Sequence, residues 1–125
     1  ECEYQHYGFE QLFDSFYRLK RFASKVQIVT LYERDFNLSK SNISWIESTI
    51  AGSVVLAPDW EEWKKPGIVN YASKEDFKEK LHGLLNGQYD LKKHFEESRD
   101  YILNNLSLKK VNRDRLRILQ KLCVS

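Results

Sequence analysis

The stretch 39-SKSNISWIESTIAGSVVLAP-58 places a helix, its stop and a buried strand in immediate succession. Ser41 or Ser39 is placed to cap the helix, and Ser44-x-x-Glu47 has the spacing of a capping box. Ile43, Ile46 and Ile50 form its apolar face, and Gly52 is placed to end it. The run 54-VVLA-57 is then continuously apolar up to Pro58, the pattern of a central parallel strand covered on both faces. Glu47 is the odd residue, a carboxylate among isoleucines. Either it is an edge residue paired with a local lysine, or it reads a ligand bound at the helix N-terminus.

The flanking sequence supports an α/β reading. Upstream, residues 3–8 (EYQHYG) read as a short strand, and Phe9, Leu12, Phe13, Phe16 and Leu19 give residues 9–20 a helical face. The run 26-VQIVTL-31 is a β-branched strand, and polar 33–40 is a loop. Downstream, 67-GIVNY-71 is a further strand. Ser73-x-x-Asp76 resembles a capping box ahead of a stripe of Phe77, Leu81, Leu84 and Leu85, and Asn86-Gly87 is the stop. Residues 89–105 form a helix with Leu91, Phe95, Tyr101 and Ile102 inward. Residues 108–123 form another, with Val111, Leu116, Leu119 and Leu122 inward. Strands alternating with helices across short links imply a parallel sheet with right-handed crossovers. Ligands of such sheets bind beyond the carboxyl ends of the strands, which is where loop 32–40 delivers the chain into the helix near Ser41.

Composition narrows the function classes. The chain has 125 residues, 42% hydrophobic and 30% charged, enough for one ordered core. A net charge of +2 gives no reason to expect a nucleic-acid partner. Cys2 and Cys123 stand at opposite ends without zinc-ligand spacing, so no metal is expected, and free thiols are the first reading with a terminus-to-terminus disulfide as the alternative. No apolar run has the length of a membrane span and no signal peptide is visible, so a cytoplasmic location is expected. The tail from Lys109 to Lys121 carries six basic residues and one acid. It is either a solvated face or a surface drawn peripherally to an anionic membrane. With no methionine anywhere, the chain is expected to be an excerpt of a longer protein.

A helix N-terminus offers unpaired N–H groups and the positive end of the dipole, a ready phosphate site. Lys40 and the Ser41 hydroxyl would add donors. Glu47 lies roughly 9 Å further along the axis at 1.5 Å per residue, the scale of a diphosphate followed by a ribose. Its carboxylate could accept two ribose hydroxyl bonds; the plainer alternative leaves Ser41 a simple cap and Glu47 an edge residue. His6, before Gly8 at a strand end, is a further candidate, whereas His82 and His94 read as surface histidines. Glu33 and Asp35 have no partner fixed by spacing. Trp60 and Trp63, flanking Glu61-Glu62, either stack on a ring or cover the sheet edge. There is no Gly-rich phosphate loop, nucleophile elbow or zinc motif.

The run 35-DFNLSKSNISWIESTIAGSVVLAPD-59 resembles the nucleotide-sugar-binding, C-terminal half of GT-B-fold glycosyltransferases of the group 1 type. In that superfamily a loop rich in small residues leads into a helix carrying a glutamate, followed by a small-residue turn and a strand. Glu47 takes the glutamate position and 51-AGSVVLAP-58 the turn and strand. A first glutamate, often found eight positions earlier, is replaced by Ser39, and Lys40-Ser41 matches a branch with Lys-Ser ahead of the helix. The segments 3–31 and 73–87 and the last helices follow the family's order.

The resemblance implies a three-layer Rossmann-like α/β fold. Its incomplete parallel sheet would have three or four strands, with helices on both faces and C-terminal helices. Residues 1–125 would be a single partial domain, with 73–125 its helical C-terminal segment. The parent would be a hexosyltransferase-type enzyme moving a sugar from a nucleotide-diphosphate donor to a hydroxyl acceptor. Donor contacts would fall to Lys40, Ser41, Asn42 and Glu47, and no cofactor or metal would be needed. An N-terminal acceptor domain and earlier strands would be missing, so the excerpt alone would not catalyse. Its exposed sheet edge would favour a homodimer. Two alternatives remain from the same residues: a non-catalytic α/β interaction module derived from a transferase domain, and an epimerase-like phosphate-ligand protein.

Overall fold

The computed structural model describes residues 24–31, 34–38 and 40–123, the side chains of Asp35, Phe36 and Cys123 excepted. The expected strand 3–8 and helix 9–20, with His6, Glu33 and Ser39, lie outside the described residues.

Three parallel strands form a sheet in the order β1-β2-β3. They are β1 (Val26–Ile28), β2 (Val54–Pro58) and β3 (Val69–Tyr71). Val26 pairs with Val54 and Leu56 with Val69. Between β1 and β2 come a short helix α1 (Asp35–Leu38), inside what the sequence suggests is a loop, and α2 (Ile43–Ile50). A 3-10 turn, Glu61–Trp63, leads to β3. Then follow α3 (Lys74–Leu85), α4 (Leu91–Tyr101), a π-helical turn (Ile102–Leu106) and α5 (Leu108–Cys123). The helix expected over 89–105 therefore changes its winding for its last residues.

Every residue of β2 is buried. Its alternating side chains feed two clusters, as a pleated strand requires. Val55 and Ala57 pack with Trp45, Trp63 and Ile68, flanked by Tyr101 and Ile102. Val54 and Leu56 pack with Val69 and Leu84, flanked by Phe77, Leu81, Tyr89, Leu91 and Phe95. Helix α2 thus serves one cluster and α3 the other, while α4 contributes to both. This is the covering that the unbroken apolar run of β2 implies.

The inward face of α2 is not the isoleucine face that the sequence suggests. Trp45, Ser48 and Thr49 are buried, whereas Ile43 and Ile50 are exposed. Small hydroxyls are tolerated inside because each bonds back one turn, Ser48 Oγ to the Ser44 carbonyl (2.6 Å) and Thr49 Oγ1 to the Trp45 carbonyl (2.8 Å). The capping expectations at the start of α2 also fail. Asn42, not Ser41, is the N-cap and makes no side-chain cap bond, and Ser44 and Glu47 both lie within the helix. The stop is as expected. Gly52 has φ +89°, its N–H reaches the Thr49 carbonyl (2.9 Å), and the Ser53 N–H reaches Ser48 (2.8 Å). This is the Schellman pattern, which leads the chain straight into β2.

Two further expectations are corrected. Leu85, at the end of α3, is exposed. Leu116, Leu119 and Leu122 of α5 are exposed as well, and Val111 is only half-buried. The apolar periodicity of α5 is real, but no sheet or helix face of the described residues lies against it.

Gly67 shows how close α4 comes to the loop before β3. Its φ is +79°, and a Cβ there would overlap the His94 carbonyl oxygen and the Ser98 hydroxyl. Gly52 shares the positive φ but faces open space. Gly52→Ala is therefore expected to cost about 1 kcal/mol, the conformational term alone. Gly67→Ala is expected to cost about 3 kcal/mol, because α4 must also move. Urea unfolding of the two variants measures the difference, and equal losses would show that the Gly67 contact is not tight.

Candidate functional site

Because all three strands run the same way, their carboxyl ends open on one side of the sheet. There the chain leaves β1 at Thr30 and Leu31, leaves β2 at Pro58, and turns from β3 into α3 at Ala72. These segments enclose a cleft of about 520 Å³, lined also by Trp60, Tyr71, Ser73, Lys74 and Phe77. A volume of that size is in the range of small-molecule sites.

The walls are held from behind. The Tyr71 hydroxyl donates to the Val29 carbonyl (2.8 Å), bridging β3 to the end of β1. Its ring meets Phe77 edge-on, centroids 5.0 Å apart. Burial pushes the Tyr71 phenol above its ordinary 10.0, with the Leu31 backbone acting in the opposite direction. Asn70 Nδ2 donates to the carbonyls of Pro58 and Trp63 (both 3.1 Å), pinning the loop that carries Trp60. At the start of α3, the Asp76 N–H donates to Ser73 Oγ (3.1 Å) and the Asp76 carboxylate accepts from the Ala72 N–H (2.8 Å). That is the expected capping box, reaching back one residue further than usual. Lys80 Nζ bonds the same carboxylate (2.8 Å) and the Asn70 carbonyl (2.6 Å). The Lys80 bond, followed by the Ala72 N–H, holds Asp76 below the usual carboxylate range.

Of the residues expected to hold a donor, the described ones, Lys40, Ser41, Asn42 and Glu47, do not line this cleft. Lys40 and Ser41 are exposed ahead of α2. Asn42 is half-buried, and its Nδ2 donates to the Glu62 carbonyl (3.2 Å), which ties the start of α2 to the turn beside Trp60. Glu47 is half-buried on the outward side of α2. Ile43 and Ile50, four residues before and three after, flank it and are 59% and 72% exposed. No hydrogen bond or ion pair joins the Glu47 carboxylate to any other described residue. The lysine partner that would make Glu47 a simple edge residue is therefore not found among them.

The two tryptophans separate in role. Trp63 is 2% exposed in the core, its Nε1 without a partner among the described residues, while Trp60 is half-buried and faces the cleft. His94 has a structural contact, with Nδ1 3.3 Å from the Gly67 carbonyl oxygen. His82 lies against Asn86 (3.0 Å). No group of three or more His, Cys, Asp or Glu residues could hold a metal ion among the described residues. Sequence reasoning missed Thr30, Tyr71 and Phe77 as cleft residues. Strand direction marks the side of the sheet on which Thr30 and Tyr71 emerge, but nothing local marks Phe77, which comes from α3.

The helix N-termini differ sharply. The N-terminus of α3 is capped by Ser73 and followed by Glu75 and Asp76, and that of α4 is capped by Asp90, which accepts from the Lys93 N–H (3.0 Å). That of α2 has no side-chain cap and no acid in its first turn. The Trp45 N–H already reaches the Asn42 carbonyl (2.9 Å), so the N–H groups of Ile43 and Ser44 are the ones left for an acceptor from outside. Compared with known proteins, the chain matches no family model, no curated protein and no solved structure.

Folding keeps the Tyr71 phenol neutral. Its contribution to stability is full below the unfolded value near 10.0 and is lost as pH rises through the higher folded value. The phenolate absorbance difference between the protein and Tyr71→Phe is expected to have a midpoint above 10.0. A midpoint at or below that value would mean that the cleft wall is open to water.

Proposed function

We propose that this chain is the donor-binding part of a nucleotide-sugar glycosyltransferase with a three-layer Rossmann-like domain of the GT-B type. The observation that carries the reading is the start of α2: an N-terminus without cap or acid, one to two turns ahead of an unpaired, outward Glu47. Together they offer a phosphate subsite followed by a hydroxyl-binding carboxylate, in the order that a nucleoside diphosphate presents its groups. The run 35–59, with its Lys40-Ser41 start and 51-AGSVVLAP-58 strand, supports the same reading by resemblance.

On this reading the N–H groups of α2, with Lys40, Ser41 and Asn42, face the diphosphate, and Glu47 accepts two bonds from the ribose hydroxyls. The acceptor hydroxyl attacks the anomeric carbon. The bond from that carbon to the diphosphate oxygen breaks, and the electron pair leaves with the nucleoside diphosphate. A fixed dipole helps most where this charge grows. The base that takes the hydroxyl proton and the groups that bind the acceptor belong to parts of the protein outside these residues. The cleft beside Trp60 and Tyr71 would receive a ring-bearing portion of donor or acceptor.

One observation favours a second reading, a non-catalytic interaction module. Ile43 and Ile50 leave an apolar stripe on either side of Glu47, which also suits a protein neighbour.

Calorimetric titration of the protein carrying this chain with UDP, GDP and ADP, and with their sugars, separates the two. Binding of one nucleotide series is expected, with Glu47→Ala weakening it roughly tenfold to a hundredfold through loss of charge-assisted hydrogen bonds. An unchanged Kd in that variant removes the ribose role. Absence of binding to every nucleotide leaves the interaction module as the better account.

A further inference from the structure

We infer that α5 is a membrane-surface helix, one that lays its leucine face on an anionic lipid bilayer. Charge in this chain is strongly segregated. Helix α5 holds six Lys and Arg against one Asp, whereas the whole chain holds 20 against 18. Outside α5 the acids therefore outnumber the bases by 17 to 14. The protein's positive excess belongs to this one helix, on an otherwise acidic body.

The same helix carries a bare apolar arc. Leu108, Leu116, Ile118 and Leu119 are 73%, 55%, 60% and 58% exposed. At 100° per residue they share one side of the helix, and Lys109, Lys110, Arg113, Arg117 and Lys121 occupy the other. Asp114 is shared between Lys110 (3.7 Å) and Arg117 (3.5 Å). Lys109, Arg113, Arg115 and Lys121 form no ion pair with a described residue. Arg115 falls within the apolar arc, where its stem can lie along hydrocarbon and its head can rise to the phosphates.

An apolar face opposite a strongly basic one, with low overall hydrophobicity, is the composition of a helix that lies in a bilayer interface. No helix among the described residues is long and apolar enough to cross a membrane, so α5 would lie on the surface. Its attachment suits this. Ser107 has extended backbone (φ −60°, ψ 141°) and sets α5 off from the π-helical turn, so α5 can meet a plane without disturbing the sheet. Nucleic acid would account for the cations but not for the leucines. A second copy would bring two helices with the same excess of cations side by side, which is unfavourable.

Co-sedimentation of the whole chain with phosphatidylcholine vesicles, with and without about 30% phosphatidylserine, tests the inference. Binding is expected only with phosphatidylserine, and high salt should weaken it. Lys109→Glu/Arg113→Glu and, separately, Leu116→Gln/Leu119→Gln are each expected to reduce partitioning roughly tenfold or more. Both substitute exposed positions, so thermal melting should stay unchanged. Failure to bind anionic vesicles, or equal binding to neutral ones, overturns the proposal. So does a leucine variant with a lowered melting temperature, which would place that face under the chain itself. A dimer by light scattering that the leucine variant dissolves assigns the face to a second copy instead. None of these outcomes bears on nucleotide binding at α2, so the two proposals stand or fall separately.

Discussion

The indole of Trp45 must be both buried and hydrogen-bonded, and most of the packing on its side of the sheet follows from that. It is the largest side chain with no exposure, and it anchors α2 against Val55 and Ala57. An indole N–H left without a partner in such a place costs about 1–3 kcal/mol. The partner is Ser98 Oγ at 3.1 Å, from a helix 53 positions further along the chain. The Ser98 hydroxyl in turn donates to the Pro66 carbonyl (3.0 Å), so one serine joins α2, α4 and the loop that feeds β3. That geometry brings the α4 backbone against residue 67, where only a glycine fits. Trp63 shows the contrast. It is packed in the same cluster, but its Nε1 has no partner among the described residues, so it contributes area without fixing a direction.

Much of this architecture can be read from the chain because its signals are local. The β2 run, the Gly52 and Gly87 stops and the Ser73-Asp76 box each rest on a few adjacent residues, and each is found in the structure. What could not be read depends on contacts between distant parts. The buried face of α2 differs from the isoleucine face because hydrophobic periodicity counts Ser48 and Thr49 as polar. It cannot see that each satisfies its hydroxyl one turn back and leaves Trp45 to set the phase. The inward face expected for α5 failed for the opposite reason. Periodicity reports that a face is apolar, not that anything lies against it. At the candidate site, strand direction alone gives the side of the sheet on which the cleft opens. It does not give the cleft wall of Thr30, Tyr71 and Phe77, since that wall exists only once three strand ends are aligned.

Helices α2 and α3 start on the carboxyl-end side of the sheet, whereas α4 starts at the opposite end, where Leu91 and Lys92 lie by Gly52 and Val54. Capping stabilises a helix by using up its leading N–H groups, and acids in the first turn occupy the positive end of its dipole. Helices α3 and α4 are completed in this way by Ser73, Asp76 and Asp90. A start so completed is held firmly and is a poor seat for a phosphate. Helix α2 is held differently, by Trp45 in the core and by the Asn42 side chain donating outward to Glu62. Tertiary packing substitutes for the local cap. Substituting Asn42 removes that tether rather than a cap, so its effect should reach the Trp60 loop across the cleft rim.

This difference bears on how the two candidate places relate. The Asn42–Glu62 bond joins the start of α2 to the turn that begins just after Trp60, and Asn70 holds that turn to β3 through the Trp63 carbonyl. A ligand drawing on the free N–H groups of α2 would therefore meet a rim already braced against both neighbouring strands. The brace is built of side-chain amides to backbone carbonyls, so it draws on no backbone N–H of the helix itself. An anion seated there would not have to break a cap to bind, and the ordering cost falls on the ligand rather than on the protein.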